Sequence, residues 1–179
     1  THTPRLLIQP PPPKAKRAIR HSDNNRSTLL NLIKSCGRLK QISKAKNIHA
    51  YLVEKNLLVT DTYIATALLR TYAKCGALKE AREVFEGLSE EQRNVVAWTA
   101  LMVGYAQHGL HQNVLECFWK MQEEGIQPDA VTYACILTTC GILGALQLGE
   151  SIDTEIRKQG ILHEDAILGN TLLNMYAMC

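Results

Sequence analysis

Shifted by 104 residues against itself, this chain matches at twelve of 50 aligned positions without a gap. Thr28, Cys36, Gly37, Leu39, Ile48, Leu58, Asp61, Leu68, Leu69, Tyr72, Ala73 and Cys75 fall on Thr132, Cys140, Gly141, Leu143, Ile152, Leu162, Asp165, Leu172, Leu173, Tyr176, Ala177 and Cys179. Unrelated sequences of ordinary composition would give roughly 3 matches. A fixed period means stacked supersecondary units that bury one core between neighbours, and stacks of this kind commonly bind something long.

The period subdivides. Asp61, Asn94, Asp129 and Asp165 close units 26–61, 62–94, 95–129 and 130–165, of 36, 33, 35 and 36 residues, and a partial unit occupies 166–179. Each unit opens with apolar residues at helical spacing, such as Ile64, Leu68, Leu69 and Tyr72, or Val96, Trp98, Leu101, Met102 and Tyr105. Each of these runs ends near a glycine (Gly37, Gly76, Gly109, Gly141), the residue best suited to a left-handed helix cap. A second apolar run follows, for example Leu78, Ala81, Val84, Phe85 and Leu88. In unit 95–129 it stops at Gly125-Ile126-Gln127-Pro128-Asp129, where proline blocks continuation. No alternating strand pattern is present. The spacing predicts an all-α solenoid of helix pairs over 26–179.

Val95-Val96-Ala97-Trp98-Thr99-Ala100-Leu101-Met102-Val103-Gly104-Tyr105 and Phe118 through Asp129 resemble the start and end of the standard 35-residue pentatricopeptide repeat (PPR). Tyr72 through Phe85 resembles the short variant of that repeat, and Leu143 through Gly149 the long one. The order long, short, standard, long, short resembles the land-plant PLS subclass. Two departures stand out: an insertion around Glu90-Glu91-Gln92, and Lys40 to Lys46 in place of the usual glycine- and leucine-bearing turn. The resemblance implies a right-handed α-solenoid of helix–turn–helix repeats acting in a mitochondrion or chloroplast.

Charge is uneven. Residues 1–25 carry +4, residues 26–61 carry +5, and residues 62–179 carry −6. Phosphate attraction needs local basic density, and here it lies at the N-terminal end. Residues 1–25 contain Pro10-Pro11-Pro12-Pro13 and little apolar periodicity, so they read as a separate arm that is disordered alone. Arg5, Lys14, Lys16, Arg17 and Arg20 are its candidate contacts to phosphate or an acidic partner. A basic, acid-poor leader also fits the remnant of an organellar targeting peptide. No apolar run approaches the roughly 18 residues of a membrane span, and no membrane contact is expected.

Cys36, Cys75, Cys140 and Cys179 recur at one position of the repeat, as small buried side chains would. There is no Cys-x-x-Cys pair and no zinc-type histidine spacing, so no metal or cofactor is expected. His108 and His111 straddle a turn, and Glu90-Glu91 and Glu123-Glu124 read as solvated. No nucleophile motif or phosphate loop is present. The chain reads as a non-enzyme.

Single-stranded RNA along the concave face is the expected ligand, one base per unit. The resemblance implies reading pairs Thr66 with Asn94, Thr99 with Asp129, and Asn170 with a residue beyond Cys179. Ala134 with Asp165 and Leu30 with Asp61 depart from a useful pair, because Ala and Leu cannot hydrogen-bond. It further implies that bases sit between Tyr63, Val96, Val131 and Ile167. The implied register is A, G, any base, pyrimidine. Thr66 and Thr99 also read simply as polar residues at helix starts, and Asp129 and Asp165 as helix caps. The rival reading is a scaffold in a large organellar ribonucleoprotein, such as a ribosome or polymerase, favoured by the +9 charge of residues 1–61. Two fully readable units distinguish only about 16 sequences at one base per unit. The expected further partners are such a ribonucleoprotein or editing and processing factors.

Overall fold

A computed structural model describes the backbone of residues 13–161 and 166–179, with side chains from residue 25 onward. Its helices are α1 (Pro13–Arg38), α2 (Ile42–Glu54), α3 (Leu57–Thr60), α4 (Thr62–Lys74), α5 (Leu78–Glu86), α6 (Val95–Gln107), α7 (His111–Glu123), α8 (Ala130–Leu143), α9 (Leu146–Gln159) and α10 (Ala166–Met178). Among the described residues there is no strand. The first helices α1, α4, α6, α8 and α10 touch in succession and form one layer. The second helices α2, α5, α7 and α9 each lie against the first helix of their own unit and the first helix of the next. The result is an all-α solenoid with one core running its length, from Ile33 through Leu68, Tyr72, Trp98, Met102 and Ile136 to Met175.

Unit ends are set by capping. The Asp61 carboxylate accepts from the Tyr63 and Ile64 N–H groups, Asn94 Oδ1 from those of Val96 and Ala97, and Asp129 Oδ1 from that of Thr132. Each satisfies donors that the first turn of a helix leaves unpaired.

The turn inside the unit meets the sequence expectation in two units and departs from it in two. Gly76 and Gly109 do occupy the left-handed region, at φ 75° and 72°. Gly37 and Gly141 instead lie within α1 and α8, and the left-handed residues are Lys40 and Gly144, at φ 51° and 65°. Gly37 and Gly141 serve close approach between first helices. A Cβ on Gly37 would lie 3.3 Å from Thr71 Oγ1, and one on Gly141 3.3 Å from the Cα of Met175, one period later.

Other local readings also change. Helix α1 begins at Pro13, so the backbone is helical across 25/26 rather than starting with the first repeat. Proline suits a first helical position, and the alanines, lysines and arginine of 14–18 are good helix formers. Unit 26–61 contains a third helix, α3. The insertion of the short unit clasps it: buried Gln92 donates through Nε2 to the Leu58 and Val59 carbonyls at 3.0 and 3.2 Å. Glu124 is more than a solvated charge, since its Oε2 accepts from the buried Trp98 indole at 3.1 Å. Of the recurring cysteines, Cys36 and Cys140 are buried, Cys75 is half-buried and Cys179 exposed. The thiols of Cys75 and Cys179 reach the carbonyls of Cys36 and Cys140, at 3.8 and 3.6 Å. Recurrence therefore marks a shared contact, not equal burial.

Candidate nucleic-acid interface

The first turns of the first helices present their second residue outward. Tyr63, Val96, Val131 and Ile167 are 74, 42, 57 and 73% exposed, and on α4 and α6 most other apolar positions are buried. Large apolar side chains left in water at the same register of four successive units form a row suited to stacking with flat, apolar faces.

Between α1 and α4 this row borders a groove of about 860 Å³. Its walls bring together four of the residues expected from sequence: Tyr63, Thr66, Asn94 and Val96. Four cations, Lys34, Arg38, Arg70 and Lys74, line the same groove, with Glu91 as the acidic member. Sequence reasoning placed the candidate cations in the arm and missed these. The +5 charge of residues 26–61 signalled Lys34 and Arg38, whereas Arg70 and Lys74 lie in the net-acidic stretch 62–179, and which lysines and arginines share a face depends on the stacking of α1 on α4. Of the arm residues, Arg5 lies outside the described residues, and Lys14, Lys16, Arg17 and Arg20 lie along the α1 backbone.

Hydrogen bonds fix which donors and acceptors Thr66, Asn94, Thr99 and Asp129 have left to offer. Thr66 Oγ1 donates to the Thr62 carbonyl at 2.8 Å, which spends its one proton and leaves lone pairs. Asn94 spends its oxygen on the cap, at 3.0 and 3.2 Å, and keeps its NH2 as donor; this amide orientation is assigned from the hydrogen-bond pattern. Thr99 Oγ1 lies 2.8 Å from Thr132 Oγ1, which lies 2.7 Å from Asp129 Oδ1. Thr66 and Thr99 are only 7 and 6% exposed, and of the two Thr66 lines the groove.

The remaining units differ. Asn170 is exposed on α10, and Asp165 lies outside the described residues. Ala134 is half-buried on α8. Asp61 is held by Arg26: Nη2 donates to Oδ1 at 3.0 Å, and Nε to Oδ2. That pairing, more than the cap, holds the Asp61 carboxyl below its ordinary value.

Residues 93–141 match the PPR repeat family, and residues 63–92 match the PPR repeat. Residues 63–141 are built of pentatricopeptide repeats. The chain is similar to curated pentatricopeptide repeat-containing proteins of Arabidopsis thaliana. One, named as mitochondrial, is 37% identical over 155 residues, covering 87% of this chain and 24% of the relative. Another, named as chloroplastic, is 34% identical over 149 residues, covering 83% of this chain and 28% of the relative. The chain thus spans about a quarter of the length of these PPR relatives. Among the described residues no helix is long and apolar enough to cross a membrane, and no group of three or more His, Cys, Asp or Glu is placed to hold a metal ion.

Proposed function

We propose that this chain binds single-stranded RNA along its first-helix face, within a mitochondrial or chloroplast protein of PLS type that acts in RNA editing, processing or another step of organellar gene expression. The observation that carries this reading is the groove itself, where exposed Tyr63 and Val96 meet Thr66, Asn94 and four cations. Aromatic and apolar side chains give bases a stacking surface, and the cations attract the backbone. The names of the mitochondrial and chloroplastic relatives support the compartment. The succession of long and short units supports the subclass.

Edge chemistry supports a register. An acceptor at Thr66 beside a donor at Asn94 complements adenine, whose Watson–Crick edge carries the N6 donor and the N1 acceptor. An acceptor at Asp129 complements guanine, which donates through N1 and N2. Asn170 pairs with a pyrimidine. Each good base contact is worth about 1–3 kcal/mol of discrimination, on the scale of direct base readout.

The test compares binding of four RNAs that differ only at the base facing Thr99 and Asp129. The expected order places G first, and Asp129→Asn shifts the preference toward A while leaving the preference facing Thr66 and Asn94 unchanged. Affinity falls with salt at a slope of about −0.7 per phosphate contact. Equal affinity for all four RNAs, before and after substitution, rejects base reading and favours a scaffold role in a ribonucleoprotein.

A further inference from the structure

The two readable units are wired differently. In unit 62–94, Thr66 disposes of its proton within its own helix, on the Thr62 carbonyl. In unit 95–129, the equivalent proton crosses into the next repeat. Thr132 sits on α8 and is fully buried. Its hydroxyl lies 2.7 Å from Asp129 Oδ1 and its N–H donates to that same oxygen at 2.8 Å. A carboxylate only accepts, so the Thr132 proton points at Asp129. The Thr132 oxygen is then the acceptor in the 2.8 Å contact with Thr99. Thr99 therefore gives up its only proton to Thr132 and keeps lone pairs alone. Asp129 has Oδ1 pinned from two sides by a single residue, and this directs Oδ2.

We infer that Thr132, a residue of the following repeat, positions both reading groups of unit 95–129 and sets them as a pair of acceptors. This rests on the RNA-reading function proposed above. Two adjacent acceptors match the two adjacent donors of guanine, N1–H and the N2 amine. They oppose adenine, whose N1 lone pair would face the lone pairs of Thr99. Without the Thr132 hydroxyl, Thr99 is free to donate and Asp129 to turn about its side-chain bonds, and an adenine edge becomes acceptable. The identity of the base read by one unit thus depends on its neighbour: the 95–129 repeat, moved beside a unit lacking this hydroxyl, reads less sharply. The corresponding residues of the two preceding units are Ile64 and Ala97, which carry no hydroxyl, so the wiring belongs to this junction.

Thr132→Val keeps the shape and removes the hydroxyl, and Thr132→Ser restores it. The full chain and these two variants are compared at low salt by fluorescence anisotropy on four RNAs varied at the base facing Thr99. Melting temperature is recorded for each protein, and four further RNAs are varied at the base facing Thr66. The expected result is a G-over-A ratio lowered about ten-fold in Thr132→Val, a scale set by one base contact. The ratio is restored in Thr132→Ser, and the preference facing Thr66 is unchanged in both. A merely structural role would lower affinity for all RNAs together and leave the ratio intact. A parent ratio retained by Thr132→Val overturns the inference while leaving the RNA-reading function standing. A parent protein without base preference or without RNA binding overturns both.

Discussion

Arg26 grips Asp61 with two parallel hydrogen bonds, and its guanidinium carbon sits 5.3 Å from the centre of the Tyr63 ring. The same Asp61 carboxylate caps α4. In the following units the residues at this place, Asn94 and Asp129, carry no such lock among the described contacts. The junction of units 26–61 and 62–94 thus places a cation beside the exposed Tyr63 ring, next to an acid that is already paired.

Replacing Arg26 by Ala is expected to raise the Asp61 carboxyl toward its ordinary 3.8, because the Arg26 hydrogen bond is the main cause of its depression. A depressed folded value stabilises the fold fully above the unfolded value and loses that contribution as pH falls through the folded value. The parent should therefore lose stability as pH falls below 3.8 through the depressed folded value, more steeply than the variant. At neutral pH the half-exposed pair is worth only about 0.5–1 kcal/mol. Carboxyl carbon titration of Asp61 by NMR checks this, and an unmoved midpoint sinks it.

Lys40 occupies the left-handed region at φ 51°, where Gly144 sits one period later at φ 65°. A side chain there costs roughly 1–2 kcal/mol, and glycine returns about 0.4–1 kcal/mol of that as entropy of the unfolded chain. Lys40→Gly is expected to stabilise the fold by about 0.5–1 kcal/mol, the difference between those two costs. Urea unfolding reads the change directly. A lower midpoint would contradict the strain assigned to Lys40.

Gly104 lies inside α6, where glycine is normally about 1 kcal/mol worse than alanine. Here the sign reverses. A Cβ on Gly104 would stand 2.6 Å from the Cβ of Ala73 and 3.6 Å from its Cα, so α4 itself would have to move. Overpacking of this kind costs about 1–3 kcal/mol, and Gly104→Ala is expected to lower the melting temperature. Gly149→Ala is the contrast. Its new Cβ meets the flexible end of Met175, which can turn away, so a much smaller change is expected.

His49 packs behind the first helices, its Nδ1 3.0 Å from the Tyr72 hydroxyl, in a groove shared with Lys46, Lys79, Glu80 and Glu83. Burial pushes the Tyr72 phenol up to about 12, so it keeps its proton, and the His49 tautomer decides which of the two groups donates. Burial also lowers the His49 imidazole below its ordinary 6.5, partly offset by the charge of Glu83. A lowered histidine stabilises the fold above the unfolded value and loses that contribution as pH falls from 6.5 through the folded value. Unfolding midpoints measured from pH 7 downward should fall in the parent and flatten in His49→Phe. Parallel profiles would show that His49 does not carry the effect.

The sequence by itself determined the units. A 104-residue self-match, acids and an amide at 61, 94 and 129, and apolar spacing within each unit sufficed, because helices and their caps are decided by residues three or four apart. It also determined which residues stand at the second place of each first helix, and Tyr63, Val96, Val131 and Ile167 are indeed exposed. Tertiary structure alone decided what those units share. Gly37 and Gly141 resembled caps because a glycine near a helix end is ambiguous, and only the approach of Thr71 and Met175 shows them as contact points. Gln92 looked like part of an insertion until α3 came within reach of its amide. Arg26 on Asp61, Thr132 on Thr99, and the four cations gathered between α1 and α4 are relations between residues roughly 33 to 40 apart, about one repeat. No local pattern records them. They arise because stacking turns a distance of one repeat along the chain into hydrogen-bond contact in space.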